Sequence, residues 1–130
     1  MQELDAKHTG VMDFKLTVTP QQLQEWIGAA ALRTLLQHFG SHSCIVIKLR
    51  RVQAHGQCIK FHLDTESTQT MQVPLNEEGE YVGASLLYVT QQGIIKPARP
   101  AGSLTIHDDC IVHGVTRMVS GVRYSLFLLA

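Results

Sequence analysis

The chain has 130 residues, 45% hydrophobic and 17% charged, which is enough for one domain around one core and too little for two. Eleven basic residues balance eleven acidic ones, so net charge gives no general pull toward nucleic acid or an anionic membrane surface. No apolar run approaches the length of a membrane span.

Three cysteines, Cys44, Cys58 and Cys110, form no CxxC pair. The chain does not open with the pattern of a secretory signal. The expectation is an intracellular protein, cytoplasmic or nuclear, without a disulfide framework, whose cysteines serve as packing residues. Seven histidines raise the prior for a metal site slightly, and their spacing must do the rest. Oligomeric state has no signature.

Residues 1–18 begin polar and end in an alternating stretch, Val11 to Val18, that reads as a short strand. Thr19 suits an N-cap and Pro20 the first helical position, where its missing N–H is no loss. Leu23, Trp26, Ile27, Ala30, Ala31, Leu35 and Phe39 recur at three- and four-residue spacing. That predicts one amphipathic helix over 20–39, stopped by Gly40 and packed on a sheet. From residue 43 the period changes to two. Segments 44–52, 58–64, 70–75, 83–90, 93–97, 103–107, 110–115 and 122–129 are short, β-branched or aromatic, and separated by turn residues such as Asn76 to Gly79, Asp108-Asp109 and Ser120-Gly121. Eight such strands predict a mainly β sandwich or barrel, with the jelly roll as the usual solution. Pro74 and Pro97 should mark strand edges or bulges.

Strand alternation puts His62 and Asp64 on one face of segment 58–64. A third ligand must come from elsewhere, and His113 stands 51 residues after His62. Two histidines and a carboxylate on one side of a metal form the facial triad of non-haem Fe(II) oxygenases, which leaves positions open for a co-substrate and O₂. An HxD tripeptide alone is a common chance pattern. Arg123 and Ser125, ten and twelve residues after His113, share a face by the same alternation, and the Ser120-Gly121 turn would lay their strand beside that of His113. A guanidinium fork with a hydroxyl is suited to a carboxylate, and an inward Arg in a small barrel needs an anion. His107, Asp108 and Asp109 form a rival cluster in an expected turn. Lys48, Arg50 and Arg51 read as a solvated edge.

The ordered set HLD (62–64) and HGVTRMVSGVRYSLFLL (113–129) resembles the double-stranded β-helix of the 2-oxoglutarate and Fe(II)-dependent dioxygenases. It is most similar to the prolyl-4-hydroxylase-like branch, in which HxD is followed after about fifty residues by a His and ten residues later by a basic residue. GASLLYVT (83–90) and Pro100-Ala101-Gly102-Ser103 fit the same branch, and the likeness covers roughly 43–129.

The resemblance implies one oxygenase domain over 1–130, with a jelly-roll core at about 43–129 and the N-terminal helix packed on it. It implies His62, Asp64 and His113 as catalytic iron ligands and Arg123 with Ser125 as the site for the distal carboxylate of 2-oxoglutarate. The cofactors implied are Fe(II) and 2-oxoglutarate, with ascorbate as a further candidate. The reaction implied is hydroxylation of a C–H bond with release of succinate and CO₂, on a protein or peptide side chain such as prolyl. The spacing to Arg123 favours His113 over His107 as ligand and leaves His107 as a pocket residue. Members of the family place a tyrosine in the pocket from the strand that 83–90 resembles; here Tyr88 is read in the neighbouring, outward phase, with Leu87 pointing in. A cupin-like metal protein without 2-oxoglutarate, or a β-sandwich interaction module with no activity, would fit the strands and part of the site.

Overall fold

The computed structural model describes residues 13–41, 43, 46–53 and 58–130. The architecture is two facing antiparallel sheets with a pair of short helices on the outside of the larger one. Strand β1 (Asp13–Val18) pairs along its whole length with β2 (Val46–Gln53). Val11 and the first two residues of segment 44–52 lie outside the described residues.

Between β1 and β2 the expected single helix is two, α1 (Pro20–Ile27) and α2 (Ala29–Gln37). Thr19 caps α1 as expected, in a reciprocal box with Gln22. Gly28 makes the break. At φ 89° and ψ 156° it holds a conformation open essentially only to glycine. Its N–H bonds the Gln24 carbonyl, closing α1, and its own carbonyl accepts from Leu32 N–H, opening α2. The break resets the helical phase. Leu32 is buried in α2, while Trp26 and Ile27 are exposed and so are Ala30 and Ala31.

The larger sheet runs β1-β2-β10-β4-β8, with β5 paired to the start of β10. Here β4 is Gln69–Pro74, β5 Tyr81–Gly83, β8 Thr105–Asp108 and β10 Met118–Leu129. The smaller sheet runs β3-β9-β6-β7, from β3 (Ile59–His62), β9 (Val112–Val115), β6 (Leu86–Thr90) and β7 (Gly93–Ile95). This is the expected mainly β jelly roll, with ten strands among the described residues where about eight had been read, plus the stretch that became β1. One extra strand arises because segment 83–90 divides: Ala84 takes a positive φ of 53°, and β5 and β6 join different sheets.

The main core lies between the helices and the outer face of the larger sheet. Leu23, Leu32 and Phe39 pack on Ile47, Leu49, Met71, Val73, Leu126 and Leu128. The alternate residues of β4 and β10, among them Thr70, Gln72, Arg123 and Ser125, are buried on the opposite face, toward the smaller sheet. The segment therefore buries two faces with different chemistry.

Four further expectations are corrected. Ser120-Gly121 is not a turn: both lie within β10, where the strand passes from pairing with β5 to pairing with β2 and β4. Gly121 permits this at φ 86°, and a Cβ there would sit 2.5 Å from the Glu80 carbonyl oxygen. In consequence β10 does not lie beside β9; the two strands belong to opposite sheets. Arg50 is not a solvated edge residue, because it forks onto Asp13 (Nε–Oδ1 2.8 Å, Nη2–Oδ2 2.7 Å) and lies over the Phe127 ring. Cys58 and Cys110 are exposed rather than packed, since they precede β3 and occupy the turn after β8; Cys44 is outside the described residues.

Pro74 ends β4 beyond the reach of β8, which pairs only as far as Gln72, so its missing N–H leaves no ladder bond unmade. Asn76 then continues the ladder with its side chain, donating to the Val122 carbonyl and accepting from Tyr124 N–H. Among the described residues no helix is long and apolar enough to cross a membrane.

Candidate active site

Strands β3 and β9 pair with His62 directly opposite His113, so the two imidazoles project from one face of the smaller sheet, ring centroids 4.4 Å apart. Asp64 lies just past the end of β3 and reaches the same point. Its Oδ1 is 3.6 Å from His62 Nε2 and 3.4 Å from His113 Nε2. The three side chains can bring one ligand atom each within 4.8 Å of the others. The three residues selected from the sequence are thus together, although Asp64 is held by the segment after the strand and not by strand alternation.

The hydrogen bonds define what these atoms offer. His62 Nδ1 lies 2.8 Å from the Lys60 carbonyl and His113 Nδ1 3.0 Å from that of Ile111. A carbonyl only accepts, so each Nδ1 carries a proton, and in the neutral imidazole it is an Nε2 lone pair that faces Asp64. On Asp64 the second oxygen is occupied. Oδ2 accepts from Thr70 Oγ1 at 2.7 Å and from His107 Nε2 at 2.8 Å, which leaves Oδ1 facing the two imidazoles. Three acceptor atoms therefore converge with no donor among them, an arrangement that a cation completes.

The electrostatics agree. Burial raises the Asp64 carboxyl, but the bonds from Thr70 and His107, with the attraction of His113 and His107 when they carry a proton, outweigh it and hold the group below its ordinary value. Burial also lowers His107, more than its bond to Asp64 raises it. His107 is therefore a neutral donor through Nε2, and its Nδ1 accepts from the Tyr88 hydroxyl at 3.1 Å. His107 is buried, its ring centroid 4.2 Å from that of His113. It belongs to the site, as a support for Asp64.

Tyr88 corrects the phase expected for β6. It faces the site and lies opposite His113 in the β6–β9 register, whereas Leu87, opposite Gly114, lies on the other face with Phe61. Ala84, at positive φ, interrupts the alternation between β5 and β6. A cavity of about 370 Å³ opens beside Tyr88 and His107, walled by Ile95, Ile106 and Ile111.

Arg123 and Ser125 are 4% and 2% exposed on the inner face of β10. Arg123 Nη1 reaches the Ala84 carbonyl at 3.4 Å and its Nε has no partner. Burial, with a further contribution from Arg99, lowers its pKa to about 9. The sequence reading passed over Arg99 and Gln72, which are buried in the same interior, and Thr70. A polar residue inside an apolar strand run was the available signal for Thr70 and Gln72; Arg99, in a Pro-flanked loop, had none.

No protein-family model matches the chain, and no curated protein matches it in sequence. Solved structures do match. An oxidoreductase of the 2OG-Fe(II) oxygenase family from Burkholderia pseudomallei superposes with a TM-score of 0.68 at 15% identity, over 90% of this chain and 64% of that one. A prolyl-4-hydroxylase from Pseudomonas putida gives 0.67 at 16% identity, over 98% of this chain and 80% of that one. The fold is that of the 2OG-Fe(II) oxygenases. A prolyl hydroxylase from Trichoplax adhaerens, solved with a peptide fragment of the hypoxia inducible factor oxygen degradation domain, gives 0.63 at 15% identity, over 90% of this chain and 61% of that one. The chain thus spans less than two thirds of the first and third of these, and it presents a His/Asp/His cluster within this oxygenase fold.

Proposed function

We propose that this chain is an Fe(II)- and 2-oxoglutarate-dependent oxygenase that hydroxylates a C–H bond, with a protein side chain such as prolyl as the substrate. The observation that carries the reading is the convergence of His62 Nε2, His113 Nε2 and Asp64 Oδ1, with each residue's other polar atom already bonded. Neutral imidazole and carboxylate on one side of an open position are the donor set that suits Fe(II) in such enzymes. When bound, iron with 2-oxoglutarate supplies oxidation of the C–H bond by O₂, coupled to conversion of the 2-oxo acid into succinate and CO₂.

The chain's own residues do the rest. His62, Asp64 and His113 hold the metal, and Thr70 and His107 fix which Asp64 oxygen faces it. Arg123 and Ser125 hold the far carboxylate of 2-oxoglutarate. Tyr88 orients His107 and walls the adjoining cavity. The side chain of His62 is 42% exposed, so the metal position is open to solvent on that side, where a peptide can approach. The peptide-bound prolyl hydroxylase among the structural neighbours supports a protein substrate, and ascorbate is the reductant expected to sustain turnover.

The test is succinate formation from 2-oxoglutarate by Fe(II)-loaded protein, with and without proline-containing peptides. The expected result is Fe(II)-dependent succinate that peptide stimulates and His62→Ala abolishes. Protein that retains no Fe(II), or binds it and gives no succinate from 2-oxoglutarate with or without peptide, would overturn the reading. Retention of metal with no effect of 2-oxoglutarate on its visible spectrum under anaerobic conditions would point to a cupin-like metal protein.

A further inference from the structure

Arg99 lies in the loop between β7 and β8, and at 2% exposure it is among the most deeply buried side chains. The loop is pinned from outside: Glu78 Oε1 accepts from Arg99 N–H at 3.1 Å and Glu77 Oε2 from Ala101 N–H at 3.3 Å. The guanidinium points the other way. Its Nη2 donates to Gln72 Oε1 at 3.2 Å, while Nε and Nη1 are buried with no partner. Arg123 Nε is in the same state. Among the described residues neither guanidinium makes an ion pair. Glu78 bonds the Arg99 backbone and not its side chain.

Two buried arginines with three orphaned donors, close enough that Arg99 acts on Arg123 and both on Tyr81, have among the described residues only the exposed Glu78 as an acid acting on Arg99, and leave a positive interior. Leaving such groups without an anion is strongly unfavourable. There is space for one, since a cavity of about 240 Å³ is lined by Arg99, Tyr81, Ala84 and Leu86, with Lys96 and the carboxylate of Glu78 also on its wall, and Arg123 bonds the Ala84 carbonyl.

The register gives the order of these groups along the inner face of the larger sheet. Thr70, bonded to Asp64, is opposite Leu129; Gln72, bonded to Arg99, is opposite Phe127; Pro74 is opposite Ser125. Gln72 is thus one alternate step, roughly 7 Å, along β4 from Thr70, the residue that bonds Asp64, and Arg123 lies beyond Ser125. A five-carbon dicarboxylate held at one end by the metal would have its other end within reach of this interval.

We propose that Arg99 is a second guanidinium of the co-substrate site, and that Arg99 and Arg123 together clamp the distal carboxylate, with Gln72 orienting the Arg99 fork. This rests on the 2-oxoglutarate reading above and adds a residue to it. Two carboxylate oxygens offer about four acceptor positions, which two guanidiniums and the Ser125 hydroxyl fill. The clamp also selects: a 2-oxo acid without a distal carboxylate leaves both cations unmatched and is rejected.

Calorimetric titration of anaerobic Fe(II)-loaded protein tests this, comparing wild type with Arg99→Met and Arg123→Met. Arg99→Met should weaken 2-oxoglutarate about 10- to 100-fold and leave 2-oxobutyrate, which lacks the distal carboxylate, unchanged. Loss of a merely structural residue would lower the thermal midpoint of ligand-free protein; loss of an uncompensated buried cation should hold or raise it. Unchanged 2-oxoglutarate affinity in Arg99→Met, with affinity lost in Arg123→Met, overturns this inference and leaves the proposed function standing. If the wild type binds neither Fe(II) nor a 2-oxo acid, the proposed function fails. Glutarate titrated without metal then decides the clamp by itself: binding that either arginine variant weakens supports it, and no binding overturns it.

Discussion

Around Asp64 the unmatched groups are acceptors; around Arg99 and Arg123 they are donors. Both regions face the interior between the two sheets, and Thr70 and Gln72, alternate residues of β4, each bond a residue of one of them. In the first, every proton is committed to a backbone carbonyl or to Asp64 Oδ2, and lone pairs are left over. In the second, protons are left over. Neither region is balanced alone, and they cannot balance each other while both stay buried in their own positions. A cation at one and an anion at the other would complete the interior, and the metal with a chelating dicarboxylate proposed above would supply both at once. The contrast teaches more about function than either cluster does separately, because a chance His/Asp/His cluster carries no requirement for a cation-rich cavity a few residues away.

The largest effect should come from the acceptor side. His113→Ala or Asp64→Asn removes one of three ligands, and Fe(II) affinity is expected to fall by more than about 100-fold, with succinate formation lost. Asp64→Asn is the sharper change, since it keeps the shape and can still accept from Thr70 and His107. Equilibrium dialysis of Fe(II) against each variant checks this. Retention of metal by Asp64→Asn would break the comparison at its first side.

On the donor side the expected effects have opposite signs in two assays. Arg123→Met should weaken 2-oxoglutarate about 100-fold while Fe(II) affinity stays the same. The ligand-free protein should at the same time gain stability, by about 1–3 kcal/mol, because an uncompensated buried charge is replaced by an apolar side chain of similar volume. Urea midpoints and ligand titrations on one preparation read both. A variant that loses stability as well as ligand would mean that Arg123 is a structural residue.

The difference between the two regions also governs what was legible in the sequence. His62 and His113 could be placed from period-two patterning, because each sits on a strand whose alternation holds, and the strand count and jelly-roll class follow from the same regularity. Arg123 and Ser125 were placed on one face correctly, but their strand was laid beside β9 when it belongs to the other sheet. Gly121 reads as a turn residue in the sequence, and in the fold it is the point where one long strand changes partners at positive φ. Tyr88 was turned outward for a related reason, since Ala84 interrupts the alternation at a position no residue type announces. Gly28 shows the same limit in the helices: the apolar spacing continues across it, and only backbone geometry shows that the helix does not. Arg99 was invisible because loop residues carry no periodicity, and its burial is imposed by contacts from Glu77, Glu78 and Gln72, which are distant in the chain.

Smaller effects should follow from the groups that support Asp64. Thr70→Val removes one donor to Oδ2 and is expected to weaken Fe(II) about 10-fold, with Tyr88→Phe, one bond further out, weaker still. Graded losses in that order would support a relay from Tyr88 through His107 to the carboxylate.

The same bonds set the response of the metal-free protein to acid. His107 is held below its ordinary pKa in the fold, chiefly by burial, so its neutral form is the one the folded state favours. That contribution to stability is complete above the unfolded value of about 6.5 and is lost as pH falls toward the folded value. Asp64 is also lowered, and its contribution is present above about pH 3.9 and lost below it as the carboxylate protonates. Stability measured by urea midpoints should therefore be level near neutrality, decline first below about pH 6.5, and fall again in stronger acid. His107→Gln should remove the first decline and keep the second. If His107→Gln leaves the first decline in place, another group titrates there, and the assignment of His107 as the neutral donor to Asp64 is wrong.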